Sequence, residues 1–261
     1  MKRPSRLDYA YAVGRAKALD IQLIPRAVFL EAAEAGDPTA ALKVLHDAGK
    51  YSEDLLRVAN SDGLDAILGE EEDLLKRVMS ELLPERDVLE IFLSDRVPGE
   101  AFVLSHGIPY PFIRNYIRHR LDLANVKMFF RVRYLGQPKE RFEERAFDGG
   151  FIETPFFRRT FDIPLIEAVR LVPYPDYRGL WERGARALVE RETFIVLERE
   201  IEDFLMNYLR GAKQIVFGPE PVFAYGLARM REIGLIRLVG VGKINGVPAG
   251  LIKERISETY G

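Results

Sequence analysis

The chain has 261 residues and a mass of 29.8 kDa, with 48% hydrophobic residues, so one large domain or two modest ones can each bury a core and wholesale disorder is excluded. Its 38 basic and 40 acidic residues leave a formal charge of -2, which asks for neither nucleic acid nor an anionic surface; any such partner must be met by a local patch. The absence of cysteine excludes disulfides, thiolate metal sites, iron–sulfur clusters and cysteine nucleophiles. Only three histidines, His46, His106 and His119, remain as imidazoles. The basic start leads into Asp8 and Tyr9 rather than an apolar run, so no secretory signal is read there, and no stretch has the apolar length of a membrane helix.

In chain order, the first fifty residues predict three short helices. Tyr9–Leu19 is broken only by Gly14, a second segment runs from Pro25 to Gly36, and a third opens at Asp37-Pro38 and stops by Gly49. Helical spacing of Leu68, Leu75, Val78 and Leu82 predicts helix over 65–93, split by Pro84, with the block Glu70–Asp73 in a first turn, where carboxylates are favourable and need no ligand. From Tyr116 a stripe of Ile117, Leu121, Ala124, Met128, Val132 and Leu135 predicts a long helix that Gly136 ends. Pro138 then restarts a short segment carrying Phe142, and Asp148-Gly149-Gly150 reads as a turn. The proline-rich, aromatic passage 154–176 predicts a domain boundary, giving lobes 1–155 and 156–261. A long helix follows with Leu197, Ile201, Phe204 and Tyr208 on one face. Gly218-Pro-Glu-Pro221 resets the chain into a last long helix with a stripe of Phe223, Leu227, Met230, Gly234, Leu238 and Val241, in which Gly234 is expected to mark a close helix approach. Strand signals are too short and isolated for a sheet, so the fold class predicted is all-α.

The breaks Gly136-Gln-Pro138 and Gly246-Val-Pro248 lie in one register, which also sets Asp122 on Glu232, Lys127 on Arg237, Arg133 on Lys243 and Phe142 on Ile252. A long helix with an early acid, a basic second half, a glycine stop and a short second helix is thus used twice. Charge is banded accordingly: residues 114–145 carry nine basic and four acidic side chains, 210–255 eight and three, and 65–100 four and eleven.

Several motifs carry a possible chemistry. Gly240-Val-Gly242-Lys243-Ile-Asn-Gly246 lacks the first glycine and the Ser or Thr of a phosphate loop and the last glycine of a dinucleotide fingerprint, and reads as a helix stop. His119 near Asp122 has the spacing of a base with its carboxylate but no nucleophile, so it reads as a surface or interface histidine. The consecutive acids Glu70–Asp73 do not alternate as in a calcium loop. Arg118, Asp122 and Asn125 form a polar stripe that suits either an exposed face or a packing role. The aromatic and basic residues interleaved in 128–134 could suggest a single-strand nucleic-acid platform, but the aromatics serve the apolar stripe and the rest of the chain repels polyanions. No catalytic, cofactor-binding or metal-binding residue is assigned.

The pattern resembles the C subunit, also called the d subunit, of the V-type and A-type rotary ATPases. The likeness rests on Tyr9-Ala-Tyr-Ala-Val-Gly-Arg15, on Asp47-Ala-Gly-Lys-Tyr51, and on Tyr116-Ile-Arg-His-Arg-Leu-Asp-Leu-Ala-Asn125. Its most specific part is Phe217-Gly-Pro-Glu-Pro-Val222, Tyr225, Arg231-Glu232-Ile233, Arg237, Gly242-Lys243-Ile-Asn-Gly246-Val-Pro248 and Ile252-Lys-Glu-Arg255. The resemblance implies an all-helical socket of repeated lobes, here two full repeats and an opening helix where the family usually has three lobes. It implies a non-catalytic rotor component without cofactors, peripheral on the cytoplasmic face of the membrane, that passes torque between central-stalk subunits and the proteolipid ring during proton or sodium transport coupled to ATP. Arg118, Lys127, Arg131 and Arg133 of the first copy and Arg229, Arg237 and Lys243 of the second are the expected partner contacts. A free-standing helical adaptor derived from the same family is the competing expectation, and a soluble enzyme with a deep pocket comes third.

Overall fold

The computed structural model describes residues 4–95 and 97–261. Among them the chain is all-α, with no strand. The helices are α1 (Ala10–Asp20), α2 (Arg26–Glu34), α3 (Pro38–Ala48), α4 (Ser61–Leu82), α5 (Arg86–Leu93), α6 (Pro98–Ser105), α7 (Pro111–Tyr134) and α8 (Glu140–Glu143). They continue as α9 (Thr154–Thr160), α10 (Leu165–Ala168), α11 (Arg178–Arg191), α12 (Ile195–Arg210), α13 (Pro219–Ile244) and α14 (Ala249–Arg255), with short 3-10 turns between. Starts follow local chemistry: Asp37 and Asn60 accept the Ala40 and Gly63 amides as N-caps, and Pro38, Pro98, Pro111, Pro155 and Pro219 stand in first turns. The two longest helices end alike, at Gly136 and Gly246 with φ of 60° and 67°, where Gln137 and Val247 donate back to the carbonyls of Val132 and Gly242.

The chain divides into two compact units, Met1–Leu93 with Met206–Gly261, and Ser94–Leu205. Residues 155/156 fall inside the second of these. Three of the four prolines of 154–176 stand at helix starts: Pro155 lies in the first turn of α9, Pro164 precedes α10 and Pro175 opens a 3-10 turn. Phe156, Phe157, Val172 and Tyr177 from the same passage are buried.

In the first unit α13 is the axis. It packs on α4, α1, α3 and α2, and from Pro219 to Ala228 every residue is buried. A helix covered on all sides has no single apolar stripe. Close approaches are made at Gly226, where a Cβ would meet Met79 and Phe92, at Gly240 against Leu64 and Leu42, and at Gly242 against Ile252. At Gly234, by contrast, a Cβ would meet nothing within 4 Å, which corrects the expected close approach there. The glycine-rich run 240–246 is the last turns of α13 and its stop.

In the second unit α7 is the axis, with twelve buried residues. Phe129 meets Phe142, Phe157 and Trp181 at centroid distances of 5.6, 5.3 and 5.6 Å, and Trp181 donates from Nε1 to the Leu165 carbonyl at 2.8 Å. The long helix expected after Asp176 is two helices, α11 and α12, because Glu192 takes a left-handed conformation with φ of 50°.

The glycines of α13 thus differ in predicted response. Gly234→Ala is expected to raise unfolding free energy by up to about 1 kcal/mol, the helix-propensity difference, since no neighbour is displaced. Gly240→Leu is expected to lower it by about 1–3 kcal/mol through overpacking against Leu64 and Leu42. Urea unfolding of the two variants checks both signs.

Candidate functional site

The residues expected at interfaces start from the long helices. On α7, Arg118 donates to the carbonyls of Gly149 (3.2 Å) and Gly150 (3.0 Å) and lies over the Phe151 ring at 3.9 Å. Lys127 and Arg131, one turn apart, share Glu198 of α12 at 2.9 and 2.7 Å. Burial works to raise the Glu198 carboxyl, but these two cations outweigh it and hold it below the usual range. Arg133 donates to the Ile163 carbonyl and sits near the rings of Phe129 and Phe161.

On α13, Arg229 pairs with Glu71 of α4 at 3.2 Å and with Glu232, and its guanidinium lies 4.2 Å over the Tyr51 ring. Arg237 reaches Asp65 (2.7 Å) and Glu72 (3.2 Å). Lys243 donates to the Ala35 carbonyl. All seven cations are therefore bonded inside their own unit. The acids Glu70–Asp73 lie in the middle of α4, not in its first turn, because Asn60 starts the helix earlier than periodicity suggests. Two of them, Glu71 and Glu72, are the partners of the α13 arginines, so the opposed charge bands meet each other.

Each axis also carries a buried carboxylate at matching register, Asp122 on α7 and Glu232 on α13, which the charge pattern does not reveal as buried. Asp122 is fully buried and accepts the amides of Phe151 (2.8 Å) and Ile152 (3.0 Å) and the hydroxyl of Tyr177 (3.1 Å). His119 touches the same hydroxyl through Nδ1 at 2.6 Å and is buried among Phe151, Tyr174, Tyr177 and Phe204. The expected surface histidine is thus an interior one, since α7 is covered on that face too. Asn125, also fully buried, exchanges two hydrogen bonds with the backbone of Phe147, at 2.7 and 2.8 Å. The polar stripe of α7 is a packing face, not an exposed one. Gly150 is required beside it: a Cβ there would stand 1.9 Å from Asp122 Oδ1.

Glu232 repeats this plan on α13. It accepts the amide of Ile24, the hydroxyl of Tyr51 at 2.8 Å, and a guanidinium N–H of Arg229. The clamp on Asp122 reaches Ile152 across 30 positions, while the clamp on Glu232 reaches Ile24 across 208, tying the two ends of the chain. The other residues brought into register by sequence also share roles. Lys127 and Arg237 pair with acids of a neighbouring helix, Arg133 and Lys243 donate to backbone carbonyls, and Phe142 and Ile252 are buried on the short helices that follow.

Burial, aided by Arg118, lowers the His119 pKa to about 4, so the ring is neutral at pH 7 and can donate from Nδ1 to the Tyr177 oxygen. Burial raises Asp122 to about 6 against the opposing pull of the Ile152 and Phe151 amides. Desolvation also raises Tyr177, and Asp122 adds to it, which keeps the hydroxyl protonated as a donor. Such groups can hold backbone in place. Among the described residues no cluster of three or more His, Asp or Glu is gathered for a metal ion.

What the fold defines is an all-α protein whose axial charges bond within their own units. Residues 21–255 match the family described as ATP synthase (C/AC39) subunit, so the chain belongs to that family, the C or d subunit of V-type and A-type rotary ATPases. No curated protein matches the chain. Among the described residues no helix is long and apolar enough to cross a membrane.

Two outcomes follow for the clamps. Glu232→Leu leaves the Ile24 amide and Tyr51 without their buried acceptor and Arg229 with Glu71 alone, and is expected to cost about 2–4 kcal/mol in urea unfolding. The pH response of the Asp122 pair has opposite limbs. His119, with its folded pKa depressed, contributes stability that is present above about 6.5 and lost as pH falls through about 4. Asp122, with its folded pKa raised, contributes stability present below its ordinary value and lost as pH rises through about 6. Stability measured from pH 4 to 6.5 should therefore rise with pH in Asp122→Asn and fall with pH in His119→Gln, each relative to the parent chain; parallel curves for all three would show that neither group titrates as described.

Proposed function

We propose that the protein is the non-catalytic connector of a V-type or A-type rotary ATPase, joining the central stalk to the membrane proteolipid ring on its cytoplasmic face. Family membership over residues 21–255 carries this reading. The internal construction supports it: a part that passes torque must be stiff, because a compliant connector would store twist. Long axial helices, each anchored by a buried carboxylate with three donors, meet that demand within each unit.

On this reading the partner contacts fall to the proposed cations that keep surface after their internal bonds. Lys127, Arg131 and Arg237 have side chains 38%, 51% and 34% exposed, whereas Arg229, at 13%, belongs to the frame. Exposed charges of this kind select partners and orient them more than they add affinity. Lobes 1–155 and 156–261 are kept as a proposal for how the family repeat is laid along the chain.

The test is depletion and add-back in the membrane complex. Stripping this protein should leave ATP hydrolysis by the head intact while ATP-driven ion uptake into vesicles is lost, and adding the purified chain should restore uptake. Loss of hydrolysis itself, or uptake that persists without the chain, would contradict the connector role. Arg131→Glu with Lys127→Glu should weaken rebinding in a salt-dependent way, read by co-sedimentation with stripped membranes.

A further inference from the structure

One face of α1 is left uncovered in a regular pattern. Leu7 in the 3-10 turn ahead of it, Tyr11 within it and Ile21 at its C-cap are 67%, 74% and 87% exposed, and Gly14 and Ala18, also open to solvent, complete the series 7, 11, 14, 18, 21. Within α1, steps of three and four put Tyr11, Gly14 and Ala18 on one line opposite the buried Ala12, Val13 and Ala16, with Leu7 and Ile21 at its two ends. From Tyr11 to Ile21 it runs for roughly 15 Å at 1.5 Å per residue. At its centre Gly14 has open space, with nothing within 4 Å of where a Cβ would stand. This is the spacing that a second helix fills by knobs-into-holes packing, with small residues at the middle to let it come close.

Both flanks of the line are grooved and bear cations. On one side a cleft of about 180 Å³ runs between α1 and α4, its walls including Leu19, Leu23, Leu74 and Val78, with Arg15 and Lys50 on it. On the other a cleft of about 230 Å³ carries Lys17 and Lys213. Arg15 and Lys213 have internal acids, Glu81 at 3.1 Å and Asp20 at 3.7 Å. Among the described residues Lys17 and Lys50 have no ion pair, and of the acids beside the line only Asp8, bonded to the Ser5 amide, has none, so the unmatched charge there is net positive. A second copy of this chain is a poor occupant: its own α1 face would bring the same unmatched lysines to Lys17 and Lys50 rather than carboxylates.

We propose that this face of α1 docks an amphipathic helix of another protein, with an apolar line at three-four spacing flanked by carboxylates. The helix lies along Leu7, Tyr11, Gly14, Ala18 and Ile21, and its acidic flanks reach Lys17 and Lys50. The inference concerns a surface that the connector reading does not specify and does not depend on that reading.

The probe is a synthetic helix about three heptads long, with leucine at the three-four positions and glutamate on both flanks, and a twin with lysine flanks. Fluorescence anisotropy with the purified full chain should show saturable binding of the glutamate peptide. The affinity should fall at least about tenfold with the lysine twin and at least about tenfold with Ile21→Asp or Tyr11→Asp. Because those side chains are exposed, both variants should keep the parent's thermal unfolding midpoint, which separates lost docking from lost folding. No binding, equal binding of the two peptides, or binding unchanged in Ile21→Asp would overturn the proposal. So would a sedimenting dimer, or adhesion to anionic lipid vesicles, that Ile21→Asp abolishes, since the face would then belong to a second copy or to a membrane. None of these assays contains the ATPase, so their failure leaves the connector role untouched, and the failure of that role leaves this one.

Discussion

A carboxylate removed from water costs several kcal/mol unless donors surround it, and this chain buries one at matching register on the axial helix of each unit, Asp122 on α7 and Glu232 on α13. Much of the local structure follows from meeting that demand. Around Asp122 two consecutive amides must be presented, so the chain 149–152 has to pass within hydrogen-bond reach of α7. Gly150 leaves the room for it, and Gly149, with φ of 97°, makes the turn. Tyr177 supplies a third donor and thereby fixes the passage that leads into α11. Around Glu232 the same need is met by Ile24, Tyr51 and Arg229, and here it fastens the N-terminal helices to the C-terminal axis.

The charge bands of the sequence are the second layer of the same construction. Acidic α4 lies along basic α13, with Arg229 on Glu71 and Arg237 on Glu72 and Asp65, while Lys127 and Arg131 of α7 converge on Glu198. A near-neutral total thus reflects bands that are matched within each unit. Partly exposed pairs of this type are individually worth little, and their effect is to fix which face of α4 meets which face of α13. Side chains used in this way stiffen each unit, which is the quality a torque-passing part would need.

Much of this can be read from the residues. The glycine stops at 136 and 246, the proline starts, the all-α class and the register of α7 on α13 are local signals with local causes, and each has a structural counterpart. What periodicity cannot show is burial on every side: the stripe drawn through Ile117 and Leu121 leaves Asp122, His119 and Asn125 on a face that reads as open or undecided, yet all three are interior. Nor can spacing reveal that Tyr51 and Ile24 serve Glu232, because those partners are separated from it by 181 and 208 positions. The prolines of 154–176 suggest a linker because proline punctuates both linkers and chains of short helices. In the structure short helices run through this passage, with Phe156, Phe157 and Tyr177 buried beside them. Gly234 suggests a contact because it sits in a stripe, but the close approaches fall at Gly226, Gly240 and Gly242 instead.

The central claim, that the buried carboxylates of Asp122 and Glu232 organise their units, is tested most directly by native-state hydrogen exchange at single-residue resolution. The amides of Ile24, Phe151 and Ile152 lie in loop segments, outside any helical ladder, and would exchange quickly if the carboxylates were incidental. The account predicts that all three exchange only with global opening of their unit, as slowly as the interior amides of α7 and α13. Exchange at the pace of exposed turns such as Gly36 or Gly149 would contradict it.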